Sequence, residues 1–204
     1  MVMDKVNFYK STIKPLVDLI ISFFCLIGLL PLLLLISFIL GIHFKGSPFF
    51  LQERVGYKGK VFTLFKFRTF DENGDFESIS FFGRFLRQSS MDELPQLFNI
   101  LKGEMSFVGP RPLYKEYMDH YNSEQRKRHH VRPGLTGLSQ VEEGNTNDWV
   151  RRLKLDVIYV ERQSFRNDLS ILFKTLIHVF SKSRIEQSYE EVTRFDDLKK
   201  EFDG

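Results

Sequence analysis

The chain has 204 residues, with 29 Lys and Arg against 26 Asp and Glu, a net charge of +3, and a single cysteine. That balance is too mild for a dedicated nucleic-acid binder, which carries a stronger basic excess on one element, and one cysteine excludes an intrachain disulfide and suits a reducing compartment. The unusual number is 22 Phe beside one Trp: Phe has no polar tip, so this many rings must be buried in a core or sunk in lipid.

The length fits one domain of ordinary size plus an appendage, and the appendage comes first. Residues 16–42 form an apolar run with one charge, Asp18. As a straight helix it would span about 40 Å, more than the roughly 30 Å hydrocarbon core of a bilayer. It is too long for a signal peptide and lacks a small-residue cleavage site. Pro31 lies near its middle, where it removes a backbone hydrogen bond and clashes with the preceding turn. Each half is then about 20 Å long, enough to dip into one leaflet and return. Lys5, Lys10 and Lys14 precede the run, and Lys45, Arg54, Lys58 and Lys60 follow it. Positive charge marks the cytoplasmic side of a membrane segment, and here both ends carry it. A re-entrant helix over residues 1–43, broken at Pro31, satisfies both observations; a tilted, proline-kinked single crossing is the alternative, because such helices tolerate proline.

Residues 44–183 are too polar to span a membrane. "GSPFFLQERVGYKGKVFTLFKFRTF" reads as a β-hairpin, with "GYKGK" as its turn and period-two alternation after it. "SFFGRFLRQSS" places Phe81, Phe82, Phe85 and Leu86 at helical spacing with Arg84 and Arg87 between them, the pattern of a helix lying at the headgroup level with arginines near lipid phosphate. "PLYKEYMDHYNSEQRKRHH" reads as a charged helix, "NDWVRRLKLDVIYVERQS" as another, and "NDLSILFKTLIHVFSKS" as an amphipathic one. Residues 184–204 are a charged tail. The fold class is α+β, mostly helical, with one small sheet.

The chemistry concentrates at "SSMDELPQLFNILKGEMSFVGPRP". Starting a helix at Asp92 makes this residue the N-cap and puts Pro95 in the first turn, where it is tolerated. Capping needs only one carboxylate and leaves Glu93 unexplained. A carboxylate at a helix N-terminus stays ionised near neutral pH and can attack phosphorus as a nucleophile. Two adjacent anions also favour a divalent cation, above all Mg²⁺, which takes carboxylate and phosphate oxygens together. Cations stand ready on stiff backbone: Arg111 between Pro110 and Pro112, and Arg132 before Pro133-Gly134. Planar guanidinium groups suit a diphosphate. Lys66 and Arg68 of "FKFRT" share one side of a strand. His129 and His130 are adjacent, so they face different directions; they read as solvated helix-end histidines.

These motifs, with "RHHVRPGLTGLSQV" and "LDVIYV" downstream, resemble the bacterial sugar transferase family, and within it the small monotopic phosphoglycosyl transferases. The likeness runs from residue 12 to residue 181. It implies an enzyme in the bacterial inner membrane, with its catalytic domain over 44–183 on the cytoplasmic face. Such an enzyme moves a sugar 1-phosphate from a UDP-sugar to undecaprenyl phosphate, releases UMP, and requires Mg²⁺. It opens the membrane stage of a glycoconjugate pathway. The resemblance assigns Asp92 as the nucleophile that forms a covalent phosphosugar, and Glu93 as the second acid, binding metal or activating the lipid phosphate. Arg87, Arg111, Lys66, Arg132 and Asp156 match positions lining the family's site. The family's re-entrant helix breaks at a Ser-Pro pair; here the pair is Leu30-Pro31, without the serine that would bond the freed carbonyls. Membrane lipid is then a partner, nucleic acid is not, and a homo-oligomer is compatible with the pattern. Two other functions fit less of it: an inactive membrane scaffold, and a glycosyl transferase releasing UDP.

Overall fold

The computed structural model describes residues 8–70, 80–143 and 148–180; the charged tail from residue 184 lies outside them. A π-helical turn, Tyr9–Ile13, leads into α1, Lys14–Phe44. Helix α1 is continuous across Pro31, so the expected break is not visible as a gap in the helix. One proline removes one N–H from the ladder and leaves its neighbours paired. Asp18, Ser22 and Leu26 before Pro31, and Leu33, Ile36 and Leu40 after it, are buried. At 100° per residue they fall on one stripe. Away from that stripe the helix shows apolar side chains outward, Phe24, Leu34, Phe38 and Ile42 among them.

The expected hairpin is present. Strands β1 (Phe49–Val55) and β2 (Val61–Phe67) pair antiparallel, from Phe49 opposite Phe67 to Val55 opposite Val61. Their turn, Tyr57–Gly59, needs left-handed backbone at Lys58 and Gly59. Helix α2 (Phe81–Gln88) is capped by the Ser80 hydroxyl, which accepts from Gly83 N–H at 3.0 Å. Its apolar residues divide: Leu86 enters the core, whereas Phe81 is 90% exposed and Phe85 points outward.

Helix α3 (Gln96–Leu101) packs on β2 and hydrogen-bonds to its edge through one side chain. Asn99, 0% exposed, accepts from Phe65 N–H at 3.1 Å and donates to Thr63 O at 2.7 Å and Glu104 Oε2 at 2.7 Å. It acts as a one-residue strand on the open edge of the hairpin. Asn99→Ala strands a backbone N–H and a C=O there, and is expected to lower the unfolding free energy by about 2–4 kcal/mol, read by chemical denaturation. A change under about 0.5 kcal/mol, the size usual for a surface substitution, would show that the docking does not depend on it.

Strands β3 (Ser106–Val108) and β4 (Gly134–Thr136) form a second, parallel pair, Ser106 opposite Gly134 and Val108 opposite Thr136. The backbones touch where the strand leaves: a Cβ on Gly134 would stand 2.1 Å from Gly109 N. Glycine is obligatory at that crossing, and it brings the two proline-arginine turns side by side. Helices α4 (Leu138–Glu143), α5 (Trp149–Arg162) and α6 (Phe165–Phe180) complete the body, α5 and α6 as the sequence reads. The main core joins Leu26, Leu33, Ile36 and Leu40 of α1 to Leu64, Phe67, Leu86, Leu97, Ile100 and Met105.

Residues 112–130 differ from the helix expected there. They form two 3₁₀ turns, Lys115–Asp119 and Gln125–His130. Between them Asn122 Oδ1 accepts from Gln125 N–H and Gln125 Oε1 accepts from Asn122 N–H, both at 2.9 Å. Such local side-chain bonds compete with a continuous helix ladder, while Tyr117 and Tyr121 pack against Leu113 and Leu153.

Candidate active site

The acidic pair is presented by a 3₁₀ turn, Met91–Glu93, not by the N-cap of α3. Ser90 enters it in left-handed backbone, φ 56°. Pro95, φ −61°, takes the cap position ahead of Gln96, where its missing N–H is harmless. Asp92 is therefore not the expected N-cap, although Leu94 and Pro95 keep the turn and α3 on one right-handed path. Asp92 is buried, 8% exposed.

Two expected cations converge on Glu93. Lys66 Nζ donates to Glu93 Oε1 at 2.9 Å, and Arg111 Nη2 donates to the same oxygen at 3.1 Å. Lys66 comes from β2 and Arg111 from the Gly109-Pro110-Arg111-Pro112 turn after β3. Two cations on one carboxylate leave the acid pair electrostatically compensated, so an anionic phosphate meets less repulsion there. Arg87, in the last turn of α2, lies with its guanidinium 4.3 Å over the Phe70 ring, on a helix that packs against the Met91–Glu93 turn.

Arg132 and Asp156 are not brought to the pair. Arg132 Nη2 lies 3.8 Å from where a Cβ on Gly103 would stand, at the far end of α3. Asp156, on α5, is buried: Oδ2 accepts from Arg128 Nε at 3.1 Å and Nη2 at 2.7 Å, and Oδ1 from Ser139 Oγ at 2.7 Å. Arg128 Nη2 also donates to Arg111 O at 2.7 Å. Asp156 is thus linked to Arg111 at one remove, through the arginine that grips the Arg111 backbone. Arg128 carries no local signal; within "QRKRHH" it reads as part of a solvated charge run, and its partner is 28 residues away.

His129 is likewise buried, not solvated at a helix end. Its ring lies 5.8 Å from that of Tyr121, and burial, with the adjacent Arg128 charge, lowers its pKa to about 4. In the unfolded chain the imidazole binds its proton near pH 6.5. Between those values the unfolded state holds more protons, so this contribution to stability is complete above pH 6.5 and declines as pH falls toward 4. His129→Phe is expected to flatten that part of the Tm-versus-pH curve, as followed by thermal denaturation; an unchanged slope would refute the assignment.

Among the described residues no three His, Cys, Asp or Glu side chains gather as a metal cage. Mg²⁺ needs fewer, because it takes one or two carboxylates and completes its octahedron with phosphate oxygens and water. By the chemistry of their donors, the Asp92 and Glu93 carboxylates are of the kind such an ion takes.

Residues 9–182 match the bacterial sugar transferase family. The chain is 44% identical over 152 residues to the uncharacterized sugar transferase EpsL of Bacillus subtilis (strain 168), covering 70% of this chain and 75% of that one. It is 38% identical over 184 residues to the exopolysaccharide production protein ExoY of Sinorhizobium fredii, covering 78% and 81%. To the UDP-glucose:undecaprenyl-phosphate glucose-1-phosphate transferase of Xanthomonas campestris pv. campestris it is 36% identical over 198 residues, which are 88% of this chain and 41% of that longer protein. An acid pair in which Asp92 is buried and Glu93 is held by a strand lysine and a proline-locked arginine thus occurs in a chain that belongs to the bacterial sugar transferase family.

Proposed function

We propose that this chain transfers a sugar 1-phosphate from a UDP-sugar to undecaprenyl phosphate and releases UMP. The observation that carries the reading is Glu93, fixed by Lys66 and Arg111, immediately beside the buried Asp92. A carboxylate oxygen of Asp92 attacks the phosphorus nearest the sugar, the bond to the bridging oxygen breaks, and UMP leaves with the electron pair. An oxygen of the lipid phosphate then attacks the resulting acyl phosphate, and the Asp92 carboxylate is regenerated. Arg111 and Lys66 hold Glu93 in place and lend positive charge to the phosphates as they bind. Asp92 and Glu93 would hold Mg²⁺, which would supply positive charge to screen the diphosphate.

The membrane reading has its own support. The buried stripe of α1 continues on both sides of Pro31, so both halves of the helix lie against one body. Basic residues flank it at both ends, which favours return to the cytoplasmic face over a crossing. The outward surface of α1 is apolar, and Phe81 and Phe85 of α2 add rings that suit the headgroup region.

Nucleotide release tests the function. Protein in detergent or nanodiscs receives Mg²⁺, undecaprenyl phosphate and a panel of UDP-sugars that begins with UDP-glucose and UDP-galactose, after the glucose and galactose transferases among its relatives. UMP is the expected product and identifies the donor sugar. UDP instead would mean direct glycosyl transfer, and no nucleotide from any donor would favour a scaffold.

A further inference from the structure

The start of α1, the end of α5 and the start of α6 meet at one buried carboxylate. Asp168 Oδ2 accepts from Lys14 Nζ and from Tyr9 OH, both at 2.6 Å, and Oδ1 accepts from Tyr159 OH at 2.8 Å. Lys14 and Asp168 are both buried. Lys10 Nζ adds a bond to Val160 O at 2.9 Å. One turn along α1, Asp18 Oδ1 accepts from Phe107 N–H at 3.3 Å, and the Tyr159 hydroxyl lies 3.0 Å from Val108 O. Both backbone groups belong to β3, the strand that runs through Gly109 and Pro110 into Arg111.

Beyond Asp18 and Ser22 the buried residues of α1 are Leu26, Leu33, Ile36 and Leu40, and Leu and Ile are interchangeable under a slide of one turn. The Asp168 cluster is not interchangeable. A slide of about 5.4 Å would leave the Lys14 ammonium buried without its carboxylate, and an uncompensated buried charge is strongly unfavourable. The single charge within the apolar run, Asp18, falls where it also bonds the strand leading to the site.

We propose that Lys14, Asp18 and Asp168 form a register pin, a set of positioning residues that fixes the membrane helix against the strand carrying Arg111. Helix depth in lipid and the place of the phosphate-binding turn are thereby set together. This inference rests on the reading of α1 as a membrane helix.

The test places a nitroxide at Phe24→Cys in a Cys25→Ser background. Phe24 is 65% exposed on α1, and Cys25 is the only native cysteine. Depth is measured in nanodiscs from the label's relative accessibility to oxygen and to a nickel chelate. In the otherwise wild-type chain the label is expected in hydrocarbon. Asp168→Asn should shift it by about one helical turn, roughly 5 Å, and raise the KM for undecaprenyl phosphate at least fivefold. Lys14→Met, which leaves the carboxylate its two tyrosine donors, should give a smaller shift in the same direction and stands in if Asp168→Asn fails to fold. Asn99→Ala, destabilised at a distance from the pin, should move neither reading. A lipid-buried wild-type label that neither variant displaces overturns the pin alone. A displaced label with an unchanged KM overturns its link to catalysis, and a water-exposed wild-type label overturns the membrane reading together with the pin.

Discussion

Asp92→Asn is expected to cut sugar-phosphate transfer by roughly 10⁴-fold or more, the scale on which loss of a nucleophile is felt. The amide is nearly isosteric with the carboxylate it replaces, so the Met91–Glu93 turn should keep its form. Neutral nitrogen and carbonyl oxygen do not displace a nucleotide from phosphorus, and no covalent phosphosugar should form. Two measurements check this together: UMP release, and intact mass of the protein after incubation with donor but without lipid. Wild type should gain one phosphosugar, and the variant none. Glu93→Gln provides the contrast. It keeps the nucleophile but removes the charge that Lys66 and Arg111 hold at 2.9 and 3.1 Å, so a loss of about 10²-fold is expected, the size of a small misplacement, with the adduct still forming slowly. Asp92→Asn turnover within tenfold of wild type would remove Asp92 from the chemistry.

Period and spacing made the hairpin, α2, α5 and α6 legible, because each is a local pattern of apolar residues. The stiff Pro110-Arg111-Pro112 turn, the acid pair and the strand lysine were legible for the same reason, and Lys66, Glu93 and Arg111 do meet. What the sequence concealed is pairing at long range. Asp156 belongs to a helix that carries other charges and Arg128 to a charged stretch, and nothing local joins them. Asn99 looks like one polar residue in "LFNIL", although it completes the edge of a strand 34 residues away. Asp168 lies in the first turn of an amphipathic helix, and nothing in that local pattern points to Lys14, which it meets across 154 residues. The helix anticipated over 112–130 failed for the converse reason: Asn122 and Gln125 satisfy the backbone locally, and Tyr117 and Tyr121 are held by tertiary contacts.

The Arg128–Asp156 pair separates stability from catalysis. Both residues are buried, 3% exposed each. Asp156→Ala leaves the guanidinium without its counter-ion and Ser139 without its acceptor, and is expected to cost about 3–5 kcal/mol of stability, seen as a lower denaturation midpoint. Activity should fall with it, which alone says little. The informative variant is the double substitution Arg128→Met with Asp156→Leu. Replacing a buried ion pair by apolar side chains of similar volume is often neutral or stabilising, so the midpoint should return toward wild type. The bond from Arg128 Nη2 to Arg111 O, 2.7 Å, does not return. Arg111 then keeps its two flanking prolines but loses the anchor on its carbonyl, and displacement of its guanidinium on the scale of 1 Å is enough to cost about 10²-fold in turnover. A stable double variant that remains slow therefore establishes Arg128 as the residue positioning Arg111, with Asp156 acting through it. Recovery of both stability and turnover would mean that the pair serves the fold alone.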